Sequence, residues 1–162
     1  IILSYYVGLR ACEIASLKVG DVVDGEGNIK DTVLLTKDMT KGSKANSVYL
    51  SEFVKKEIQK YLESNTERLV TLKSALVYSQ RTGGHFSSQT LQILFKTLYS
   101  NVGINASSHS GRRKFITDLS EKGVSVRVIQ ELARHRDLAT TQRYIDVSVD
   151  KLRNAVNLLI NH

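Results

Sequence analysis

Ser108-His109-Ser110-Gly111-Arg112-Arg113-Lys114-Phe115 is the stretch on which the reading of this 162-residue sequence turns. His109 and Arg112 stand three apart, so on a helix entered from Ser107 and Ser108 they project from the same side of one turn. An imidazole and a guanidinium at a helix N-terminus suit a phosphate, because the unbonded N–H groups and the helix dipole there already favour negative charge. Read in isolation, Arg112 could equally pair with Asp118 or Glu121 farther along the same helix. The second informative run, Ala133-Arg134-His135-Arg136-Asp137-Leu138-Ala139-Thr140-Thr141-Gln142-Arg143-Tyr144, is basic and leads to a tyrosine on a short helix that Asp137 can cap. On its own, Tyr144 reads as a half-buried packing residue with its hydroxyl at the surface, and His135 as a cap of a helix C-terminus.

Working outward, the spacing predicts helices almost throughout, with one early hairpin. Residues 1–7 read as a helix ending near Gly8, and residues 10–17 as a short second helix with Ile14 and Leu17 inward. The turn-rich residues 21–27 lead into a strand at 32–36. A basic hairpin turn, Lys41-Gly42-Ser43-Lys44, then precedes a second strand at 47–50, which gives a small antiparallel sheet. Ser51 caps a helix with Phe53, Val54, Ile58, Tyr61 and Leu62 on one face. Ser87 or Ser88 caps another carrying Leu91, Leu94, Phe95 and Leu98 and stopping near Gly103. Residues 109–121 form the helix quoted first. Ser125 caps the next, with Val128, Ile129 and Leu132 apolar, and Asp137 caps a helix through Tyr144. Residues 147–162 form a last amphipathic helix with Leu152, Val156, Leu159 and Ile160 together. The sequence contains no proline to break any of these helices. The expected class is mainly α with a small antiparallel β-sheet, an α+β domain.

Composition bounds the function. Lys and Arg number 23 against 16 Asp and Glu, a net charge of +7, which favours a polyanionic partner because basic surfaces release counterions from phosphates. Cys12 is the single cysteine, which excludes an internal disulfide framework and a cysteine-rich zinc site. No apolar run approaches the roughly 20 residues needed to cross a bilayer, so no membrane partner is expected and the cytoplasm is the expected compartment. No Asp, Glu and His cluster has metal-ligand spacing, and neither a metal nor a cofactor is expected. The first residues read as the inside of a buried helix without a cap, as in a fragment lacking a natural N-terminal part.

Taken together and in order, Gly8-Leu9-Arg10-Ala11-Cys12-Glu13, Lys41 in a hairpin, His109-x-x-Arg112, His135, and Tyr144 nine residues after it closely resemble the signature of the tyrosine recombinase, or phage integrase, catalytic domain. The resemblance runs over nearly the whole chain. It implies that residues 1–162 are a single catalytic domain with that family's fold, and that the family's N-terminal DNA-clamp domain lies outside this chain. It further implies that Arg10 and Arg112 grip the non-bridging oxygens of a scissile phosphate, with Glu13 orienting the cluster. His109 would accept the tyrosine proton or hold the phosphate, His135 would donate to the same phosphate, and Tyr144 would attack phosphorus.

Lys41 resembles the hairpin lysine that protonates the departing 5′ oxygen. Lys37 and Lys44 lie on the same hairpin, and the pattern Thr40-Lys41-Gly42-Ser43-Lys44 favours the first lysine of that pair. Lys44, Arg113 and Arg136 are further expected contacts to DNA phosphates. The residue before His135 is Arg134, where the family most often has glycine. Double-stranded DNA is the implied partner, together with other copies of the chain: a tetramer on DNA, with the isolated segment a monomer. The implied function is site-specific recombination or integration through a 3′-phosphotyrosyl intermediate. The alternatives are relaxation of DNA by a type IB topoisomerase, which shares the same residue types, and a DNA-binding regulator without catalysis.

Overall fold

A left-handed turn at Gly8, with φ +66°, separates the first two helices, α1 (Ile2–Tyr6) and α2 (Ala11–Ser16), in a computed structural model that describes residues 1–40, 44–69, 71–145 and 149–157. Glycine is needed there because a side chain at positive φ is strained, and because a Cβ would lie 2.7 Å from Cδ1 of Phe115. The chain continues through a one-turn helix α3 (Val19–Val22), strand β1 (Thr32–Leu35), a 3-10 turn at Lys37–Met39 and strand β2 (Asn46–Tyr49). Helices α4 (Glu52–Glu63), α5 (Ser88–Asn101), α6 (Ser110–Glu121), α7 (Val126–Ala133), α8 (Leu138–Gln142) and α9 (Val149–Asn157) follow. The expected class, mostly helical with one small antiparallel sheet, is what is observed.

Two compact units are distinguished, residues 1–115 and residues 116–162. In the first, β1 and β2 pair antiparallel with Val33 opposite Val48 and Thr32 opposite Tyr49. Alternation along the strands sends Val33, Leu35 and Val48 into the core and leaves Leu34 and Tyr49 exposed, as a period of two requires. Leu9, Ile14, Leu17, Val22, Val54 and Leu76 complete this core. Helix α2 packs against α1, α5 and the 3-10 turn. In the second unit α7 packs on α8 around Ile129, Ala133 and Thr141, all fully buried.

The expected caps form. Ser51 accepts from the Val54 N–H, Ser87 from Thr90, Ser125 from Val128 and Asp137 from Ala139. Two expectations are corrected. Helix α8 ends at Gln142 rather than running through Tyr144, because the Tyr144 N–H turns back to the Thr141 carbonyl at 3.0 Å in a tight final turn. Phe53, Leu98 and Val128, which belong to the apolar sets of their helices, are nonetheless exposed, at 48%, 41% and 49%. Phe53 instead meets the ring of Tyr6, with centroids 4.8 Å apart. Of the last helix, residues 149–157 are described, and the calls on Leu159 and Ile160 fall outside them.

Candidate active site

Arg10 is the residue before the first turn of α2, and the chemistry of that position determines its surroundings. The Glu13 carboxylate reaches back, one oxygen accepting from the Arg10 backbone N–H at 2.8 Å and the other from the guanidinium Nη1 at 2.9 Å. Glu13 is fully buried, whereas the Arg10 side chain keeps 26% of its surface. A buried carboxylate needs a cationic partner and bonded lone pairs, and Arg10 supplies both. The remaining guanidinium surface opens into a cavity of about 370 Å³ that His109 also lines, along with Cys12, Asp38, Ser88 and Gln92. Arg10 and His109, 99 positions apart in sequence, are thereby brought to one hollow.

His109 is exposed, and its carbonyl accepts the Arg113 N–H at 2.9 Å, so it stands at the threshold of α6. The approach is set by Ser107 and Ser110: the Ser107 N–H donates to the Ser110 hydroxyl oxygen at 2.9 Å, and the Ser107 hydroxyl accepts from the His109 N–H at 3.3 Å. Arg112, one turn on, is 5% exposed, and its Nη1 donates to the Gly8 carbonyl. Arg113, Lys44 and Arg136 are exposed, as phosphate contacts would need to be. Lys41 lies outside the described residues. Beside it, the Thr40 hydroxyl donates to the Lys44 carbonyl at 2.8 Å.

The second unit arranges His135 and Tyr144 around Thr141. The His135 Nδ1 lies 2.9 Å from the Thr141 hydroxyl, and the Gln130 side-chain amide donates to the His135 carbonyl at 3.1 Å. The His135 and Tyr144 rings are 6.3 Å apart between centroids, and Tyr144 is half-buried. Arg134, the departure from glycine noted in the sequence, closes α7 in the left-handed conformation at φ 53°, ψ 44°. It is the single non-glycine residue with positive φ among those described. That conformation is the usual reason for glycine just past a helix.

Sequence reading missed Cys12, Asp38, Ser88 and Gln92 as cavity residues. Ser88 and Gln92 carried a usable signal, being four apart on one face of α5 and bonded to each other at 3.2 Å. Asp38 carried none, because the 3-10 turn that bears it is too short for periodicity to reveal. Among the described residues no three His, Cys, Asp or Glu side chains are grouped to hold a metal ion, and no helix is long and apolar enough to cross a membrane.

Comparison with known proteins identifies the family of the chain. Residues 1–151 match the phage integrase family, and the chain belongs to that family. Tyrosine recombinase XerA of Pyrococcus horikoshii is 33% identical over 157 residues, covering 96% of this chain and 52% of the relative. A crystal structure of a XerA recombinase superposes with a TM-score of 0.74 at 26% identity, over 99% of this chain and 56% of that one. The Tn1549 transposon integrase, solved in complex with a circular intermediate DNA, shares the fold, with a TM-score of 0.75 at 16% identity over 96% of this chain and 56% of its own. The chain thus spans about half the length of the relatives it matches.

Proposed function

We propose that residues 1–162 act as one catalytic domain of a site-specific recombinase or integrase that breaks and rejoins double-stranded DNA without metal or nucleotide cofactor. The observation that carries this reading is the hollow shared by Arg10 and His109, with Arg10 fixed by the buried Glu13, in a chain of this family. In the proposed reaction the Tyr144 hydroxyl oxygen attacks phosphorus, and its proton passes to His109. The bond from phosphorus to the 5′ oxygen breaks, and that oxygen takes a proton from Lys41. The products are a 3′-phosphotyrosyl link and a free 5′ hydroxyl. The link keeps the phosphodiester as an ester, so rejoining needs no external energy source.

Arg10 and Arg112 neutralise charge on the non-bridging oxygens as the five-coordinate transition state forms, and forked, permanently charged donors suit that task. Two arginines and a lysine supply the positive charge that a divalent ion supplies in other phosphoryl-transfer sites. His135 donates to the same phosphate, and Lys44, Arg113 and Arg136 contact flanking phosphates. Assembly of four copies on DNA is supported by α9, whose Val149, Leu152 and Val156 are 63%, 57% and 62% exposed, an apolar face fit for burial against another copy.

The test incubates the full-length protein with a nicked duplex that loses its leaving strand, in the presence of a chelator. A denaturing gel is expected to show a 3′-linked adduct that Tyr144→Phe abolishes. An adduct that survives Tyr144→Phe sinks the reading. Relaxation of supercoiled DNA lacking any recognition site would move the assignment to a topoisomerase.

A further inference from the structure

Two glycines set the packing around Arg112. Gly8, at φ +66°, lies so close to the Phe115 ring that a Cβ would fall 2.7 Å from Cδ1 and 2.8 Å from Cε1. Gly111, in the first turn of α6, lies so close to α1 that a Cβ would fall 2.8 Å from the Ser4 hydroxyl and 3.1 Å from its Cβ. Ser4 is 1% exposed, and among the described residues its hydroxyl has no hydrogen-bond partner, so it acts there as a small packing group. Between these contacts the Arg112 guanidinium donates to the Gly8 carbonyl. Two residues after Gly8 stands Arg10, itself tied to Glu13.

We propose that the Gly8 turn is a positioning element that sets the spacing of the two phosphate-gripping arginines: its carbonyl holds Arg112, its chain carries Arg10, and the Gly8–Phe115 and Gly111–Ser4 contacts fix its distance from α6. The proposal rests on the catalytic reading above and deepens it. A guanidinium has five donors, and the Gly8 carbonyl engages one of them. Positioning of this kind matters more for the transition state than for binding. Ground-state DNA is held by many phosphate contacts, but charge on the reacting phosphate grows only during the reaction.

The experiment measures adduct formation and duplex affinity in the full-length protein, using an ordinary nicked duplex and one with a neutral methylphosphonate at the scissile position. Removing the charge from the reacting phosphate removes most of what the arginines stabilise. Gly8→Ala is expected to slow adduct formation roughly 100-fold on the ordinary duplex, the scale of losing one transition-state donor, with the loss shrinking to a fewfold on the methylphosphonate and affinity nearly unchanged. Because Gly8→Ala also strains the backbone, Gly111→Ala provides a second arm. It should slow the same step, and Ser4→Gly, which removes the two nearest atoms it meets and leaves the Tyr5 backbone nitrogen at 3.3 Å, should recover most of the rate.

Equal losses on the charged and neutral substrates, or a Gly111→Ala defect that Ser4→Gly leaves untouched, would overturn the positioning role while leaving the nucleophile assignment standing. Absence of any Tyr144-dependent adduct in the unsubstituted protein overturns the catalytic reading and this proposal with it.

Discussion

Residues 1–115 hold their arginines with groups that scarcely meet solvent, whereas residues 116–162 carry their tyrosine two positions past the end of a five-residue helix. In the first unit Glu13 is fully buried, Arg112 is 5% exposed, and the turn that binds Arg112 is wedged by an aromatic ring. In the second, His135 and Tyr144 depend on one buried threonine and on backbone turns. Fixed positive charge gains from rigidity, because preorganised donors cost no rearrangement as the reaction proceeds. Removing the buried carboxylate of the first unit should therefore cost more stability than removing the single hydroxyl on which the second unit relies.

The sharpest way to break that contrast is Glu13→Ala. Removing the carboxylate takes away two hydrogen bonds and leaves Arg10 without its buried counter-charge, an expected loss of about 3 kcal/mol read from the urea midpoint. A loss below about 1 kcal/mol would show that the arginine is held by other means. Next in size is Thr141→Val, which keeps the shape and removes the hydroxyl beside the His135 Nδ1. About 1–2 kcal/mol should be lost, with the change in His135 ring environment visible by NMR.

Arg134→Gly has the opposite sign. Relief of the left-handed backbone should raise stability by about 1 kcal/mol, seen as a Tm higher by a few degrees and reduced by whatever the Arg134 bond to the Leu132 carbonyl contributes. The smallest effect is expected at Asp24, whose carboxylate accepts from the Asn28 and Glu26 backbone N–H groups and is thereby held below the usual carboxylate range. A lowered folded-state pKa stabilises above the ordinary carboxylate pKa, and that contribution is lost as the pH falls through the lowered value. Asp24→Asn should therefore flatten the acid limb of the stability profile slightly, by lowering stability a little at neutral pH while leaving the acid end almost unchanged.

How much was legible follows from how local each feature is. The caps at Ser51, Ser87, Ser125 and Asp137 could be read because a cap is a bond between residues two or three apart. Glu13 could be read as the partner of Arg10 for the same reason. The vacancy that makes Gly8 necessary could not be read, since Phe115 fills it from across the sequence. The Cys12, Ser88 and Gln92 lining of the cavity arises from α2 packing on α5, which no local pattern announces. The exposure of Phe53, which shares a face with Val54 and Ile58, could not be read, because helical periodicity gives the direction of a stripe but not its width. The departure at Arg134 was visible by resemblance, and its meaning, a left-handed residue closing α7, is a backbone fact that only the fold supplies.

The bond between Arg112 and the Gly8 carbonyl spans 104 positions, and this has a consequence for the protein as it is made. At a synthesis rate of about 5–20 residues per second, the turn exists for roughly 5–20 s before the ribosome adds the residue that completes it. A nascent chain therefore carries Arg10 and its carboxylate long before the second arginine exists. Every translation intermediate that stops short of α6 therefore holds the Gly8 turn without the guanidinium that its carbonyl accepts from in the finished fold.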